Sequence, residues 1–333
     1  MTTLVTGATG FIGYHAARLL TQRGESIRVL TRPLSRRDNL DRLDNRLVEV
    51  VCGDLKDSAT LLKAVDGCEM IYHAAADYRL WSRNPEELYQ TNVGGVRNLL
   101  EAAQMAGVKR VVYTSTVGAL GIPGDGSPGN EETPVTIHDM AGHYKRSKFL
   151  AEQEANNFAE NGLDLVIVNP STPVGENDIK PTPTGQIVVD FLNRRLPAYI
   201  DTGLNLVDVR DVAEGMLLAG EKGEKGRKYI LGNRNTSLCE LMKMLAHISG
   251  TPAPRFHIPY ALAWMAVGAE NITMDRILHR EPTHPFEGVK MARHKMYFDG
   301  SRAVQELGMP QSPVEYALER AVDWFQSNGY VRT

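Results

Sequence analysis

Cysteine is scarce in this sequence: three in 333 residues, Cys52, Cys68 and Cys239, far apart and odd in number. No C-x-x-C pair occurs, so neither a disulfide framework nor a cysteine zinc site is expected, and the three read as reduced thiols of a cytosolic protein. An excess of one charge is missing too. Against 37 Lys and Arg stand 40 Asp and Glu, leaving −3, without the basic surplus that nucleic acid would require. No apolar run reaches the ~18 residues of a membrane span. The nearest, Ile258 to Ala269, stops at Glu270. It reads as an amphipathic or buried helix, and its apolar face could instead line a substrate entrance or rest on a membrane surface. The start, Met1-Thr2-Thr3-Leu4-Val5, has no basic segment followed by an apolar one, so a cytoplasmic location is expected. No His, Asp or Glu cluster has metal-ligand spacing, and no metal is expected.

What is present is ordinary globular material, 42% hydrophobic and 23% charged. Apolar strand-like runs alternate with helix-like stretches through the first half. Leu4-Val5-Thr6, Ile27 to Thr31, Leu47 to Val51, Met70 to His73, Arg110 to Thr114 and Leu163 to Val168 read as strands. Helices are expected between them, at Phe11 to Arg23, Ala59 to Val65, Pro85 to Ala106 and Tyr144 to Glu160. That alternation implies right-handed crossovers and an α/β fold with a doubly wound parallel sheet. Beyond Pro170 the texture changes. Proline-rich loops, Pro170-Ser171-Thr172-Pro173 and Pro181 to Gly185, should stay outside regular elements. Residues 1–170 therefore read as a nucleotide-binding domain and 171–333 as a smaller, mostly helical substrate lobe, with one return to the main sheet near 228–231. Such a lobe should cap the carboxyl ends of the strands, where open parallel sheets bind ligands.

Two motifs carry chemistry. Thr6-Gly7-Ala8-Thr9-Gly10-Phe11-Ile12-Gly13 follows the first strand and opens the first helix. Gly7 permits a tight turn, Gly10 lets backbone approach a pyrophosphate, and Gly13 lets helix and strand pack closely. The N–H groups of the first turn, from Thr9 through Ile12, then face an anion. The second motif is Tyr144-Lys145-Arg146-Ser147-Lys148, which stacks Tyr144 and Lys148 on one helix face. A tyrosine with an ordinary pKa of about 10 is a poor base. A neighbouring ammonium should lower that pKa, and Lys148 can also hold a nicotinamide ribose. At the end of the second strand an NAD enzyme usually carries an acid for the ribose hydroxyls. Here Val29-Leu30-Thr31 is followed by Arg32, with Arg36 and Arg37 just beyond. The reading favours NADP(H) over NAD(H), with Arg32 on a 2′-phosphate; the bland alternative is a solvated basic loop.

The G-x-x-G-x-x-G spacing resembles the short-chain dehydrogenase/reductase superfamily, and T-G-x-x-G-x-x-G its extended branch. That resemblance implies a Rossmann fold and further roles. Thr116, in Tyr113-Thr114-Ser115-Thr116-Val117, is the expected third catalytic residue beside Tyr144 and Lys148, with Ser115 and the strand-end Thr114 on the cofactor side. Asp54 and Leu55 correspond to an adenine contact, and Ala74, Ala75 and Ala76 to the small-residue floor beneath the adenosine ribose and pyrophosphate. Asn92 corresponds to a brace of the active site, and Pro170 and Ser171 to the nicotinamide contact. His73 is read as a structural histidine. The resemblance also implies a homodimer through the helices beside Tyr144 and Lys148.

More narrowly, Ala74 to Trp81, Asn169 to Gly175, Asp178 to Gly185 and Asp201 to Val207 resemble the dihydroflavonol-4-reductase-like group, and within it the hopanoid-associated sugar epimerases. Nucleotide-sugar epimerases of this branch usually carry basic residues near the Asn-Pro segment and before the later V-x-D-V-A segment. Here those places read Leu165 to Asn169 and Gly203 to Asp208, which are apolar or neutral apart from the final Asp208. Arg79 or Lys180 are the remaining candidates for a substrate diphosphate. Three readings follow. The first is an NADPH-dependent reductase of a small-to-medium ketone, or the reverse alcohol dehydrogenase. The second is a sugar or nucleotide-sugar epimerase or dehydratase that recycles its cofactor, associated with hopanoid biosynthesis. The third is a non-enzymatic redox sensor, which predicts loss of the tyrosine or lysine.

Overall fold

The structure, a computed structural model, describes residues 2–277, 280, 282 and 286–332 and, apart from those of 275–277, their side chains. Twelve strands occur among the described residues. In chain order they are β1 (Thr2–Thr6), β2 (Ile27–Thr31), β3 (Val48–Cys52), β4 (Cys68–His73), β5 (Arg110–Thr114), β6 (Leu165–Pro170), β7 (Thr172–Val174), β8 (Ala198–Tyr199), β9 (Gly203–Asp208), β10 (Lys228–Leu231), β11 (Arg234–Ser237) and β12 (Phe256–His257). Seven form one parallel sheet in the order β10-β6-β5-β4-β1-β2-β3. The strand order reverses between β1 and β4, so a crevice opens beyond their carboxyl ends.

The central strands are buried at nearly every position because helices cover both faces of the sheet. The helices are α1 (Phe11–Gln22), α2 (Ser58–Val65), α3 (Glu86–Tyr89), α4 (Gly95–Met105), α5 (Gly142–Glu160), α6 (Pro183–Leu192), α7 (Val209–Lys222), α8 (Leu238–Ser249), α9 (Tyr260–Asn271), α10 (Phe286–Met291) and α11 (Val314–Ser327). The period of two sorts the strand residues. Val5, Val29, Val112, Val166 and Val168 pack beneath α1 and α7. Leu4, Ile71, Val111, Leu165 and Ile167 pack beneath α2, α4 and α5. Burying one such side chain fully contributes about 1.5–3 kcal/mol. A third core, around Phe191, Leu206, Leu245, Leu318 and Phe325, lies between α6, α8, α11 and the small sheet β11-β9-β7.

Several expectations change. The proline-rich segments do enter regular structure. Pro170 ends β6, Pro173 sits in β7, and Pro183 occupies the first turn of α6 behind the Thr182 cap. Each place suits a missing N–H: a strand end, an edge strand paired only with β9, and a first helical turn. The stretch from Pro85 to Ala106 is helical as expected, with a π-helical turn at Gln90–Gly94 between α3 and α4. The second half returns to the main sheet with more than residues 228–231, because α7 and the turn Ala303–Leu307 join the core under α1. The segment around Ile258 to Ala269 is not buried: Ala263 alone of α9 is buried, and Leu262, Trp264 and Met265 are about half exposed. No helix among the described residues is long and apolar enough to cross a membrane.

The crossing of α1 over the loop after β1 leaves no room for a side chain. A Cβ on Gly13 would collide with the Gly7 carbonyl, which is backbone and cannot swing aside. Gly13→Ala is expected to destabilise the protein by about 2 kcal/mol or more, since α1 must move off the sheet. A urea midpoint equal to that of the unmodified protein would show that α1 shifts freely.

Candidate active site

The crevice between β1 and β4 is built from backbone. Gly7 has φ +79°, and a Cβ there would lie 2.6 Å from the Ala75 nitrogen. The Gly10 N–H donates to the Gly7 carbonyl at 2.8 Å, closing the turn that starts α1. Where Asp57, Thr182 and Ser237 cap α2, α6 and α8 with their side chains, Gly10 provides none. The N–H groups after Thr9, at Phe11, Ile12 and Gly13, are thus left for an anion, with the positive end of the helix dipole behind them. Ala74, Ala75 and Ala76 form the opposite wall, tied to β1 by the Ala74 N–H on the Thr6 carbonyl (3.2 Å) and the Ala75 N–H on the Thr6 hydroxyl (3.3 Å).

Further round, buried Asn39 donates to the Gly10 and Asn177 carbonyls, and its Oδ1 has no partner. Ser171, just past Pro170, has a buried hydroxyl that is also unpartnered. Asp54 turns one oxygen to the Lys56 N–H at 2.9 Å, and Leu55 is buried against Gly95. Arg32 is exposed at the end of β2 and makes no ion pair among the described residues, whereas Arg36 grips Asp38 at 3.0 Å. An uncapped helix, a wall that side chains would fill, and unsatisfied polar atoms along the groove fit a dinucleotide. Among the described residues no group of three or more His, Cys, Asp or Glu could hold a metal.

Beyond the end of β5 lie the expected catalytic residues. Tyr144 and Lys148 sit one turn apart on α5, and Thr116 caps the short turn Val117–Ala119. The Thr116 oxygen accepts the Gly118 N–H at 3.0 Å, so its own O–H remains to donate. Lys148 is buried; its ammonium donates to the Tyr113 hydroxyl (3.0 Å) and the Thr114 carbonyl (2.9 Å). Burial pushes its pKa down to about 8, against the pull of Glu152. The expected lowering of the Tyr144 pKa does not appear. Burial pushes the phenol up to about 12, with the Thr116 hydroxyl opposing and Asp77 adding to the rise. The reason is geometric, since the lysine hydrogen bonds end on Tyr113 and Thr114. His73 accepts or donates at the Thr6 hydroxyl (2.6 Å) and stacks on Tyr113; burial, then the Lys148 charge, pushes it down to about 3.

Sequence reading missed the layer beneath. Glu152, one further turn along α5 and 2% exposed, accepts from the Ser115 hydroxyl (2.5 Å) and the Asn169 amide (2.8 Å) and pairs with Lys228 of β10 at 2.6 Å. Ser115 therefore turns its hydroxyl to Glu152. The i, i+4, i+8 spacing of Tyr144, Lys148 and Glu152 was a usable signal; Lys228 had none, being 76 positions on from Glu152. Asn92 clamps Asp77 through both the N–H and the carbonyl (2.8 Å each) and donates to Ser147 at 2.9 Å, a reach that the wide π-helical turn allows. Arg79 is held by Asp77 and Glu87, and Lys180 lies over the Tyr78 ring. Lys145, next to Tyr144, is 7% exposed, and among the described residues its ammonium bonds only to the Met296 sulfur, at 3.6 Å; burial pushes it down to about 8.

A family model described as NAD dependent epimerase/dehydratase matches residues 3–232. The chain belongs to that family. It is an extended short-chain dehydrogenase/reductase, and an enzyme like its relatives. A Synechocystis protein bearing the provisional name dihydroflavonol 4-reductase is 48% identical over 99% of this chain and 96% of its own length. Sterol demethylase protein B of Methylococcus capsulatus is 34% identical over 99% of this chain and all of its own length. Among solved structures, a nucleoside-diphosphate-sugar epimerase from Pseudomonas aeruginosa is 27% identical with a TM-score of 0.83, covering 100% of this chain and 99% of that one. The family thus brings reductase-type and epimerase-type neighbours together on one fold.

The Glu152–Lys228 pair makes the floor of this family member's site testable. Lys228→Met leaves a carboxylate buried without its cation and is expected to cost about 3 kcal/mol. Adding Glu152→Gln to that variant should recover most of the loss. A double-mutant cycle in urea checks this; equal losses in the single and double variants would overturn it.

Proposed function

We propose that this chain is an NADP(H)-dependent carbonyl reductase, or alcohol dehydrogenase in the reverse direction, acting on a small-to-medium ketone. The observation that carries the reading is the pair of hydroxyls at Thr116 and Tyr144. Tyr144 keeps its proton to high pH, and Thr116 has an O–H free to donate. Bound nicotinamide would supply the hydride. Tyr144 gives its proton to the carbonyl oxygen as that oxygen gains charge, and Thr116 donates a hydrogen bond to the same atom. Lys148, one turn on from Tyr144, presents its ammonium on this face of α5 and is the residue to hold the nicotinamide ribose.

The cofactor assignment rests on the same ends of the sheet. Gly7, Thr9, Gly10, Phe11, Ile12 and Gly13 would hold the pyrophosphate, above the floor of Ala74, Ala75 and Ala76. Asp54 and Leu55 would flank the adenine, and Arg32 would take a 2′-phosphate. Thr114, Ser115, Pro170 and Ser171 would line the nicotinamide end, with Asn92 holding the loop between. The unsatisfied Ser171 hydroxyl supports this end of the assignment.

Against a nucleotide-sugar substrate stands the state of Arg79, whose charge is matched by two carboxylates. The second reading, a sugar or nucleotide-sugar epimerase or dehydratase that recycles its cofactor in hopanoid-type metabolism, draws on the likeness to the Pseudomonas epimerase.

Tyr144→Phe should lower turnover of any ketone substrate by about 10²-fold or more while leaving NADPH affinity within a factor of about two. Normal turnover would remove Tyr144 from the mechanism. For the unmodified enzyme, kcat/KM for reduction should hold steady below about pH 8 and fall above it, as Lys148 loses its proton. The sign follows from a lowered lysine pKa, whose charged form is lost as pH rises. A fall only near pH 10 would show that Lys148 is not depressed. Fluorescence titration tests the cofactor: NADPH should bind about tenfold more tightly than NADH, and Arg32→Ser should erase the difference. Equal affinities, or stoichiometric NAD released on denaturing the fresh protein, would favour the recycling epimerase.

A further inference from the structure

Lys145 is unexplained by the proposed mechanism, and the fold retains it at a cost. An ammonium buried without a carboxylate is unfavourable by several kcal/mol. Among the described residues Lys145 has no ion-pair partner, only the thioether of Met296 at 3.6 Å. It is 7% exposed and flanks a cluster of Val117, Leu120, Ile230, Met296 and Phe298. Other buried charges here are matched differently: Glu152 has Lys228, and Lys148 has a carbonyl, a hydroxyl and Glu152 one turn on.

Its position relative to the candidate triad follows from Gly118. A methyl group built on Gly118 would lie 3.4 Å from the Thr116 hydroxyl and 3.7 Å from Lys145 Cε. The hydroxyl expected to meet the reacting oxygen and the stem of the unpaired lysine therefore flank one small space. Above it, the segment containing α10 lies over the start of α5: a Cβ on Gly142 would collide with the Glu287 side chain, and Met291 packs on the cluster that includes Met296. An apolar wall with a single cation beside the reacting position suits an apolar ketone carrying one anionic group.

We propose that Lys145 is the anchor for a carboxylate on the substrate, placed close to the carbon that exchanges hydride. This rests on the carbonyl-reductase reading for the identity of the reacting carbon. The anchor is a charge-assisted hydrogen bond in a dry site, where such a bond is strong and directional. A diphosphate fits less well, because it would bring more than one negative charge to one ammonium among thioether and alkyl groups.

The test uses the full chain with NADPH and three probes: 3-acetylbenzoate, its methyl ester, and uridine diphosphate. Binding is measured by calorimetry, and reduction of the two ketones by NADPH absorbance. The protein should bind the acid about tenfold or more tightly than the ester, and Lys145→Met should lower that acid-over-ester ratio by about tenfold. The melting temperature of Lys145→Met should equal or exceed that of the parent, since an unpaired buried charge is removed; this separates loss of the anchor from loss of the fold. No preference for the acid, a preference that survives in Lys145→Met, or failure of both ketones to bind at about 10 mM overturns the anchor. Uridine diphosphate bound more tightly than the acid, with Lys145 required, also overturns the carboxylate assignment. If the acid binds in a Lys145-dependent manner and neither ketone is reduced, the anchor stands and the reductase reading falls. If both ketones are reduced with equal kcat/KM, the reductase reading stands and the anchor falls.

Discussion

A lysine ammonium can be buried at the end of a parallel sheet only if the surrounding backbone is held still around it. Lys148 meets that condition with two hydrogen bonds to β5, one to the Tyr113 hydroxyl and one to the Thr114 carbonyl, and with Glu152 one turn away on its own helix. The rest of the site depends on those bonds. They set how α5 lies against the sheet, and so where Tyr144 stands relative to Thr116. They also make Tyr113 more than a core residue, because its ring lies 4.8 Å from the ammonium and its hydroxyl is the acceptor. Glu152, in turn, would be a buried charge without its ion-pair partner if Lys228 were absent, and Lys228 arrives on β10, far along the chain. The edge strand thus completes the floor of the site electrostatically as well as by pairing with β6.

The other half of the crevice works by omission. At Gly7 and Gly13 a side chain would strike backbone, and at Gly10 there is none to cap α1. Other helices do carry side-chain caps, among them α8 with a capping box at Ser237 and Glu240 and α2 with Asp57. Leaving α1 without a side-chain cap costs stability of order 1 kcal/mol, and the free N–H groups are then available to a ligand. Both halves converge where the strand order reverses, so topology brings an anion site and a proton donor to the same end of one sheet.

Charge is distributed differently on the substrate side. Arg79, exposed enough to have served a diphosphate, is neutralised by Asp77 and Glu87, while Lys145 is buried and has no ion-pair partner among the described residues. Two residues of the same formal charge therefore have opposite availability. Composition cannot express that distinction, because it is decided by whichever side chains fold against each cation.

The order of strands and helices in the first half, the glycine turn, and the pairing of Tyr144 with Lys148 were legible in the sequence. Each is set by short-range physics: alternation of period two against 3.6, glycine where backbone must approach backbone, and side chains four apart on one helix face. The prolines of the second half misled because their meaning depends on pairing. Pro173 is tolerated only because β7 is an edge strand, and Pro183 only because Thr182 begins a helix there. The helix at α9 was misread for a related reason, since apolar residues all round predict burial and do not say whether anything lies against them. The Lys228 partner of Glu152, the lack of an ion-pair partner for Lys145 among the described residues, and the pKa of Tyr144 belong wholly to the tertiary structure. They depend on contacts across tens of residues and on the exclusion of water, and no local pattern encodes either.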